Sequence, residues 1–318
     1  MKKHLRIIVA GVLVVGILAA VAFAATPSKK TEAKKAKKPG QVIVVEDADF
    51  SVDDEQILTA VSEAFEMEPQ VKRISHQEAL QDEQLKGVDF SFLPVFLVEK
   101  TDVVREKLAE PLAQGYLTQT KDYVVFTRQT HEGVHTAKTP KPGVMEIFVM
   151  SQCPYGVMAE TAVINAQKSG QWPKAKDVRV RYIVNYDPRN GFRSLHGSGE
   201  WEENVRQLLI AKYYPEKFWK YLEIRNKDYR SSRWDKAMED AGINVKKIMK
   251  KFDTEGLELL KQEAAYSDEY NVDGSPTFLW EGRRMMSFGS AAQTEGFDFL
   301  NPNSGKAGAA AQVPAGSC

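Results

Sequence analysis

The sequence predicts an α/β protein whose C-terminal half is organised around a single cysteine. Three stretches carry that expectation. The first is Met145-Glu-Ile-Phe-Val-Met-Ser-Gln-Cys-Pro-Tyr-Gly156, in which the apolar run Ile147 to Met150 reads as a buried strand and Pro154 suits the first position of a helix. The second is Val272-Asp-Gly-Ser-Pro-Thr-Phe-Leu-Trp-Glu-Gly-Arg-Arg284. Here Thr277 to Trp280 reads as a strand, Glu281-Gly282 as a turn, and Arg283 to Phe288 as the returning partner. The third is the region between them, where residues 200–268 are mostly of helical pattern.

Cys153 therefore falls where a strand gives way to a helix, with Val157, Ala162 and Ile164 as candidates for the apolar side of a helix over residues 157–168. Free N–H groups and the positive dipole end at such a junction favour a thiolate. The order strand, Cys-Pro-Tyr-Xaa, helix, followed downstream by Gly-Ser-Pro-Thr, resembles the thioredoxin superfamily. The helical stretch is longer than a plain thioredoxin allows and resembles the insertion of DsbA-like proteins. The resemblance implies a thioredoxin-like domain over residues 144–300, with Pro276 as a cis-proline beside the cysteine. It implies a catalytic group of Cys153, Pro154, Tyr155, Gly156 and Pro276, with Ser275 and Thr277 contacting substrate. The chain departs from the family at Gly156, where the usual motif has a second cysteine. A dithiol pair makes and releases a disulfide within itself; Cys-Pro-Tyr-Gly does not.

A weaker version of the same pattern occupies residues 41–128. Val42 to Val45 and Val71 to Ile74 read as strands, and Asp53 caps a helix from about Asp54 to Phe65, in which Ile57, Leu58, Val61 and Phe65 recur at helical spacing. His76 to Leu85 reads as a short helix, Val103 to Leu117 as partly helical and Tyr123 to Thr127 as a strand. Pro94 interrupts the apolar run from Ser91 to Val98, and a proline is tolerated at the start of a strand. That position is where thioredoxin-like domains hold their cis-proline. The segment equivalent to the cysteine motif, Glu46 to Asp53, has no cysteine, so this smaller thioredoxin-like α/β domain is expected to be redox-inactive. Its acidic residues Glu46, Asp47, Asp49, Asp53 and Asp54 read as helix-capping and dipole residues rather than as a metal site.

The chain has 43 basic and 43 acidic residues, and nothing in that balance argues for nucleic acid. Residues 1–25 read as a signal peptide or membrane anchor: Lys2, Lys3 and Arg6 precede an uncharged apolar run, and Ala22-Phe23-Ala24 fits a cleavage site. Either reading exports the protein to the periplasm or the outer face of a membrane. Cleavage after Ala24 would remove three basic residues and leave a net charge of −3. Residues 26–40 read as a Lys-rich linker and 129–143 as a second linker. His131 and His135 lack further ligands at close spacing, so no metal is expected, and no cofactor is implied.

Within the second domain, Val178, Val180, Tyr182 and Val184 alternate as one strand face, residues 185–199 read as a loop, and the aromatic residues from Trp201 to Trp234 read as core. His196 invites a Cys–His reading, but no sequence feature brings it near Cys153, and a surface-loop histidine is the expectation. Residues 301–318 read as a flexible tail ending in Cys318, the second of only two cysteines. The expected arrangement is two separate thiols, because nothing in the sequence directs the tail toward Cys153. The alternative is a Cys153–Cys318 disulfide, with Cys318 as a remote resolving thiol, which an oxidising compartment permits. Two functions remain open: a thiol-disulfide exchange protein using one cysteine, with protein or small-molecule thiols and disulfides as partners, and a redox-inactive peptide- or protein-binding module of the cell envelope.

Overall fold

The architecture comes from a computed structural model, which describes residues 37–318 except 48, 51–53, 128–133, 171–176, 295, 298–299 and 301–317. The expected signal peptide or anchor, most of the Lys-rich linker, Asp53, His131 and most of the tail lie outside the described residues. No described helix is long and apolar enough to cross a membrane. The chain forms two compact units, Met1–Lys138 and Thr139–Cys318.

In the first unit, β1 (Lys38–Glu46) lies parallel to β2 (Met67–Ser75) and antiparallel to β4 (Val95–Glu99). The sheet continues through β6 (Tyr123–Thr127) to β5 (Thr118–Gln119), in the order β2-β1-β4-β6-β5. Val42 to Val45 of β1 form a continuous apolar run because both faces of the strand are covered there. Val42 and Val44 join a core with Val61 and Phe65 of helix α1 (Glu55–Ala64), while Ile43 and Val45 join the opposite core with Ala79 of α2 (His76–Gln81). β1 starts at Lys38, inside the expected linker, because β2 is long enough to pair it from the register Lys38↔Met67 onward. β3 (Phe92–Leu93) pairs with β7 (His135–Thr136), a strand where the sequence reads as linker. The Leu93–Pro94 bond is cis and leads directly into β4. Helices α3 (Asp102–Lys107) and α4 (Ala109–Ala113) fill the partly helical segment. Asp54 stands at the N-cap of α1 but makes no capping bond; Arg73 holds both its carboxylate oxygens, at 2.8 and 3.0 Å.

The second unit is built on β8 (Val144–Val149), parallel to β9 (Asp177–Tyr182) and antiparallel to β12 (Thr277–Trp280), which pairs in turn with β13 (Arg284–Ser287). The order β9-β8-β12-β13 repeats the β2-β1-β4-β6 order of the first unit, with the same strand directions. Helix α5 (Pro154–Lys168) follows β8, and α11 (Phe288–Ala292) follows β13. Between β9 and β12 come a small hairpin and five α-helices, so this unit has the thioredoxin fold with a DsbA-like helical insertion. The helices are α6 (Ser198–Tyr213), α7 (Pro215–Arg225), α8 (Trp234–Asp240), α9 (Val245–Met249) and α10 (Leu257–Glu269). Helix α5 is covered on two sides. Ala159, Ala162, Val163 and Ala166 pack on the sheet core, whereas Ile164 enters the core of the insertion with Leu209 and Tyr221.

The hairpin corrects the loop expected over residues 185–199. β10 (Asn185–Asp187) and β11 (Gly191–Arg193) are three residues each, too short to show alternation. The Asp187 carboxylate ties the turn by accepting the N–H groups of Arg189 and Asn190, and Gly191 supplies a φ of 74°. Tyr186 packs on Phe192 and Phe192 on Trp201, which attaches the hairpin to α6.

Where α5 meets the insertion, Glu160, Glu203, Arg206, Tyr221 and Arg225 are buried. Glu203 is compensated by Arg206 at 3.0 Å and Arg225 at 3.3 Å, and it accepts the Tyr221 hydroxyl at 2.7 Å. Glu160 has no such cation among the described residues. One oxygen accepts from Asn226 at 2.9 Å, and the other has no hydrogen-bond partner among the described residues. Burial pushes its carboxyl from 4.5 up to about 7; the Asn226 bond opposes this and the nearby Glu203 charge adds to it. A raised carboxyl pKa means that folding favours the protonated form. The associated stability is complete below pH 4.5 and is lost as pH rises through about 7. Glu160→Gln should therefore be more stable than the native chain at pH 8, by roughly 3 kcal/mol, with the advantage vanishing near pH 4.5. Urea unfolding at both pH values measures this, and an advantage that does not change with pH would contradict it.

Candidate functional site

The second unit brings together the two sequence motifs, which are more than a hundred residues apart. Antiparallel pairing of β8 with β12 sets Phe148 opposite Thr277, so the chain leaving β8 toward Cys153 meets the loop that enters β12 through Pro276. The Cys153 N–H bonds to the Met150 carbonyl at 2.9 Å, which tightens the turn after β8. Cys153 is the N-cap of α5 with Pro154 at its first position, and its carbonyl accepts the Val157 N–H at 3.0 Å. Its sulfur lies 3.5 Å from the carbonyl oxygen of Ser275, and the Ser275–Pro276 bond is cis.

Cys318 occupies the remaining side of this sulfur. Cys153 and Cys318 are joined by a disulfide, with their Cα atoms 6.1 Å apart. The Cys318 N–H donates to the Ser275 carbonyl at 3.0 Å and the Ser275 N–H donates to the Cys318 carbonyl at 3.3 Å. That reciprocal exchange is the bonding of an antiparallel strand pair. The expectation of two separate thiols is thus corrected. The edge that receives Cys318 is backbone, and backbone pairing leaves no signature in a low-complexity segment.

The other anticipated residues divide by what they touch. Pro154 and Tyr155 are partly exposed on the first turn of α5, and Gly156 is buried. Ser275 is fully buried, and it meets Cys318 through its backbone while its hydroxyl accepts the Met150 N–H at 2.9 Å. Thr277 does not face an incoming chain: it is buried, and its hydroxyl donates to the Gly274 carbonyl at 2.8 Å. His196 lies on a turn, as expected, but is only partly exposed and has an acidic partner. The His196 Nδ1 lies 2.6 Å from the carboxylate of Glu200, a fully buried residue of α6. That same carboxylate accepts the N–H of Gln152, the residue before Cys153, at 3.1 Å. Glu200 escaped the sequence reading because an acidic residue in a helical first turn is ordinary. Among the described residues no cluster of His, Cys, Asp and Glu could hold a metal ion.

No protein-family model matches the chain, and no curated protein does. Among solved structures it is similar to the DsbA disulfide interchange protein of Klebsiella pneumoniae, at 15% identity over 52% of this chain and 88% of that one, with a TM-score of 0.35. It is also similar to Proteus mirabilis DsbA in complex with the peptide PWATCDS, at 12% identity, 54% and 88% coverage, and a TM-score of 0.35. A thioredoxin-like oxidoreductase from Silicibacter pomeroyi DSS-3 matches at 14% identity, 44% and 77% coverage, and a TM-score of 0.31. The assignment of the fold rests on the strand order and insertion described above.

Gly156 has a steric reason to lack a side chain. A Cβ there would come within 2.7 Å of the Ser275 Oγ, 3.2 Å of the Met150 carbonyl oxygen and 3.3 Å of the Val149 Cβ. Restoring a second cysteine by Gly156→Cys should thus destabilise the fold by about 1–3 kcal/mol through overpacking. Ser275→Ala should be destabilising too, since it strips the buried Met150 N–H of its acceptor, at about 1–3 kcal/mol. Because Ser275→Ala also removes the tightest contact, the double variant should cost less than the two single losses combined, by at least about 0.5 kcal/mol. Denaturant unfolding of all four proteins checks this, and simple additivity would show that the hydroxyl is not the obstacle.

Proposed function

We propose that this protein is an exported thiol-disulfide exchange protein that uses Cys153 as its one attacking sulfur and Cys318 as the resolving thiol in place of a second cysteine in the motif. The single observation that carries the reading is the seat of Cys318. It is bonded to Cys153 and paired through its backbone with Ser275, beside Pro276 and at the N-terminus of α5.

In the oxidising direction, a substrate thiolate attacks the Cys153 sulfur, the Cys153–Cys318 bond breaks, and Cys318 leaves as a thiolate. A second substrate thiolate then attacks the substrate sulfur of the mixed disulfide and expels Cys153. The substrate loses two electrons to become a disulfide, and the protein gains them as two thiols. Reduction of a substrate runs the same steps backward, with the Cys153 thiolate attacking and Cys318 then displacing the substrate from it. The helix N-terminus favours each reaction in which Cys153 carries the charge, as attacker or as leaving group. Pro154 and Tyr155 border the sulfur on the helix side and Pro276 on the loop side. The substrates are protein or small-molecule thiols and disulfides. The charged-then-apolar start of the chain supports a place outside the cytoplasm, where such bonds persist.

Reduction of one equivalent of a disulfide-containing model peptide by the reduced protein, with a small thiol added to regenerate it for further turnovers, tests the reading. Cys153→Ser should abolish it. Cys318→Ser should still form one equivalent of mixed disulfide but stall there, turning over only when a small thiol is added. The same variant should lose up to about 5 kcal/mol of stability, since the native bond closes a loop between residues 165 apart in sequence. Peptide reduction that survives Cys153→Ser would overturn the role given to Cys153, and a native protein that exchanges nothing would favour a binding module in its place.

A further inference from the structure

The exchange reading leaves one buried acidic residue at the site without a role. Glu200 lies in the first turn of α6, the first helix of the insertion, and is 0% exposed. Its Oε2 accepts the Gln152 N–H at 3.1 Å, and its main-chain carbonyl accepts the Ser151 hydroxyl at 3.2 Å. One residue of the insertion thus holds both residues that lead into Cys153. The preceding residue, Gly199, leaves room for the Gln152 side chain, whose Nε2 would lie 3.2 Å from any Cβ there.

A carboxylate taken out of water in this way needs compensation. His196 supplies it. Its Nδ1 is 2.6 Å from the same Oε2 that receives Gln152, its main-chain N–H reaches Oε1 at 3.4 Å, and its side chain is 19% exposed. From another side, Arg230 donates to the Gln152 carbonyl at 3.4 Å. Three charged or titratable side chains therefore converge on this short loop: Glu200, His196 and Arg230. The N-terminus of α5 adds its own positive field at Cys153. In that field Glu200 is the opposing element. A negative charge held one residue before the sulfur disfavours a thiolate, and His196 tempers it by hydrogen bonding or by charge.

We infer that Glu200 and His196 are a pair of positioning residues that fix the loop before Cys153 and set how readily its thiol gives up a proton, with His196 acting through Glu200. The inference rests on the exchange reading, because only a sulfur that reacts needs its ionisation tuned. It assigns the insertion a part in the chemistry, since Glu200 belongs to no element of the thioredoxin core.

The test is the pH profile of Cys153 alkylation in the full-length reduced protein, with the modified peptide identified by mass spectrometry. The profile separates the ionisation of the thiol from the intrinsic rate of its thiolate. His196→Ala should raise the Cys153 pKa by at least half a unit, a loss of about threefold in thiolate below it. Glu200→Gln keeps an oxygen for the Gln152 N–H but removes the charge, and should lower the pKa by a similar step. In the double variant the His196 effect should disappear. An unchanged pKa in either single variant overturns the inference, and so does a His196 effect that persists beside Glu200→Gln. Failure of the exchange reading looks different: the unsubstituted protein would itself ionise like a free thiol, at ~8.5, and turn over no disulfide.

Discussion

The pairing of β8 with β12 is the constraint on which the second unit depends. It joins a strand that runs toward Cys153 to a strand that begins just after Pro276, across more than a hundred residues of chain. Closing so long a loop is entropically costly, and the contact is secured by burying both strands: Ile147, Val149 and Phe278 are wholly inaccessible. Everything at the sulfur follows from this register. A slip of one residue would turn every side chain of β12 to the opposite face and would carry the Ser275 carbonyl away from Cys153. The first unit uses the same register logic, with β1 against β4 just after Pro94, and has no cysteine to place there.

The insertion is attached to the thioredoxin core by carboxylates as well as by apolar packing. Glu200 reaches the loop before Cys153, Glu203 reaches Tyr182 through Gln207, and Glu263 of α10 accepts the Tyr182 N–H at 3.1 Å. All three are almost completely buried. Buried charges contribute little net stability, yet displacing one from its partner leaves an uncompensated charge at a cost of several kcal/mol. They consequently define a single docking geometry for the helices, where greasy contacts alone would tolerate sliding. Glu160 differs because it faces an amide in place of a cation, and burial moves its ionisation to about 7.

Much of this architecture was legible in the sequence because it rests on periodicity and on marked residues. The apolar run before Cys153, Pro154 at the helix start, the Pro276 loop and the aromatic core of the insertion are all local patterns. What escaped reading is nonlocal or made of backbone. The Tyr186–Phe192 hairpin is too short to alternate. The bond from Glu200 to Gln152 spans 48 positions and leaves no period. Thr277 looked like a groove residue by its place beside Pro276, yet the pleat turns it inward. The partner of Cys153 was hidden most deeply. A cysteine behind an Ala- and Gly-rich segment carries no address, and what receives it is the main chain of Ser275.

The link between Cys153 and Cys318 has a consequence in mass action. Opening it with a small thiol consumes two thiols and releases one small disulfide, so the ratio of reduced to oxidised protein follows the square of the thiol concentration divided by the disulfide concentration. A mixed disulfide on a lone cysteine exchanges one thiol for one disulfide and responds to their ratio alone. If the surrounding thiol and disulfide are both diluted tenfold, the lone cysteine does not register the change, while this protein shifts about tenfold toward its closed form. The second cysteine thus makes the chain responsive to how much thiol surrounds it as well as to how oxidised that thiol is.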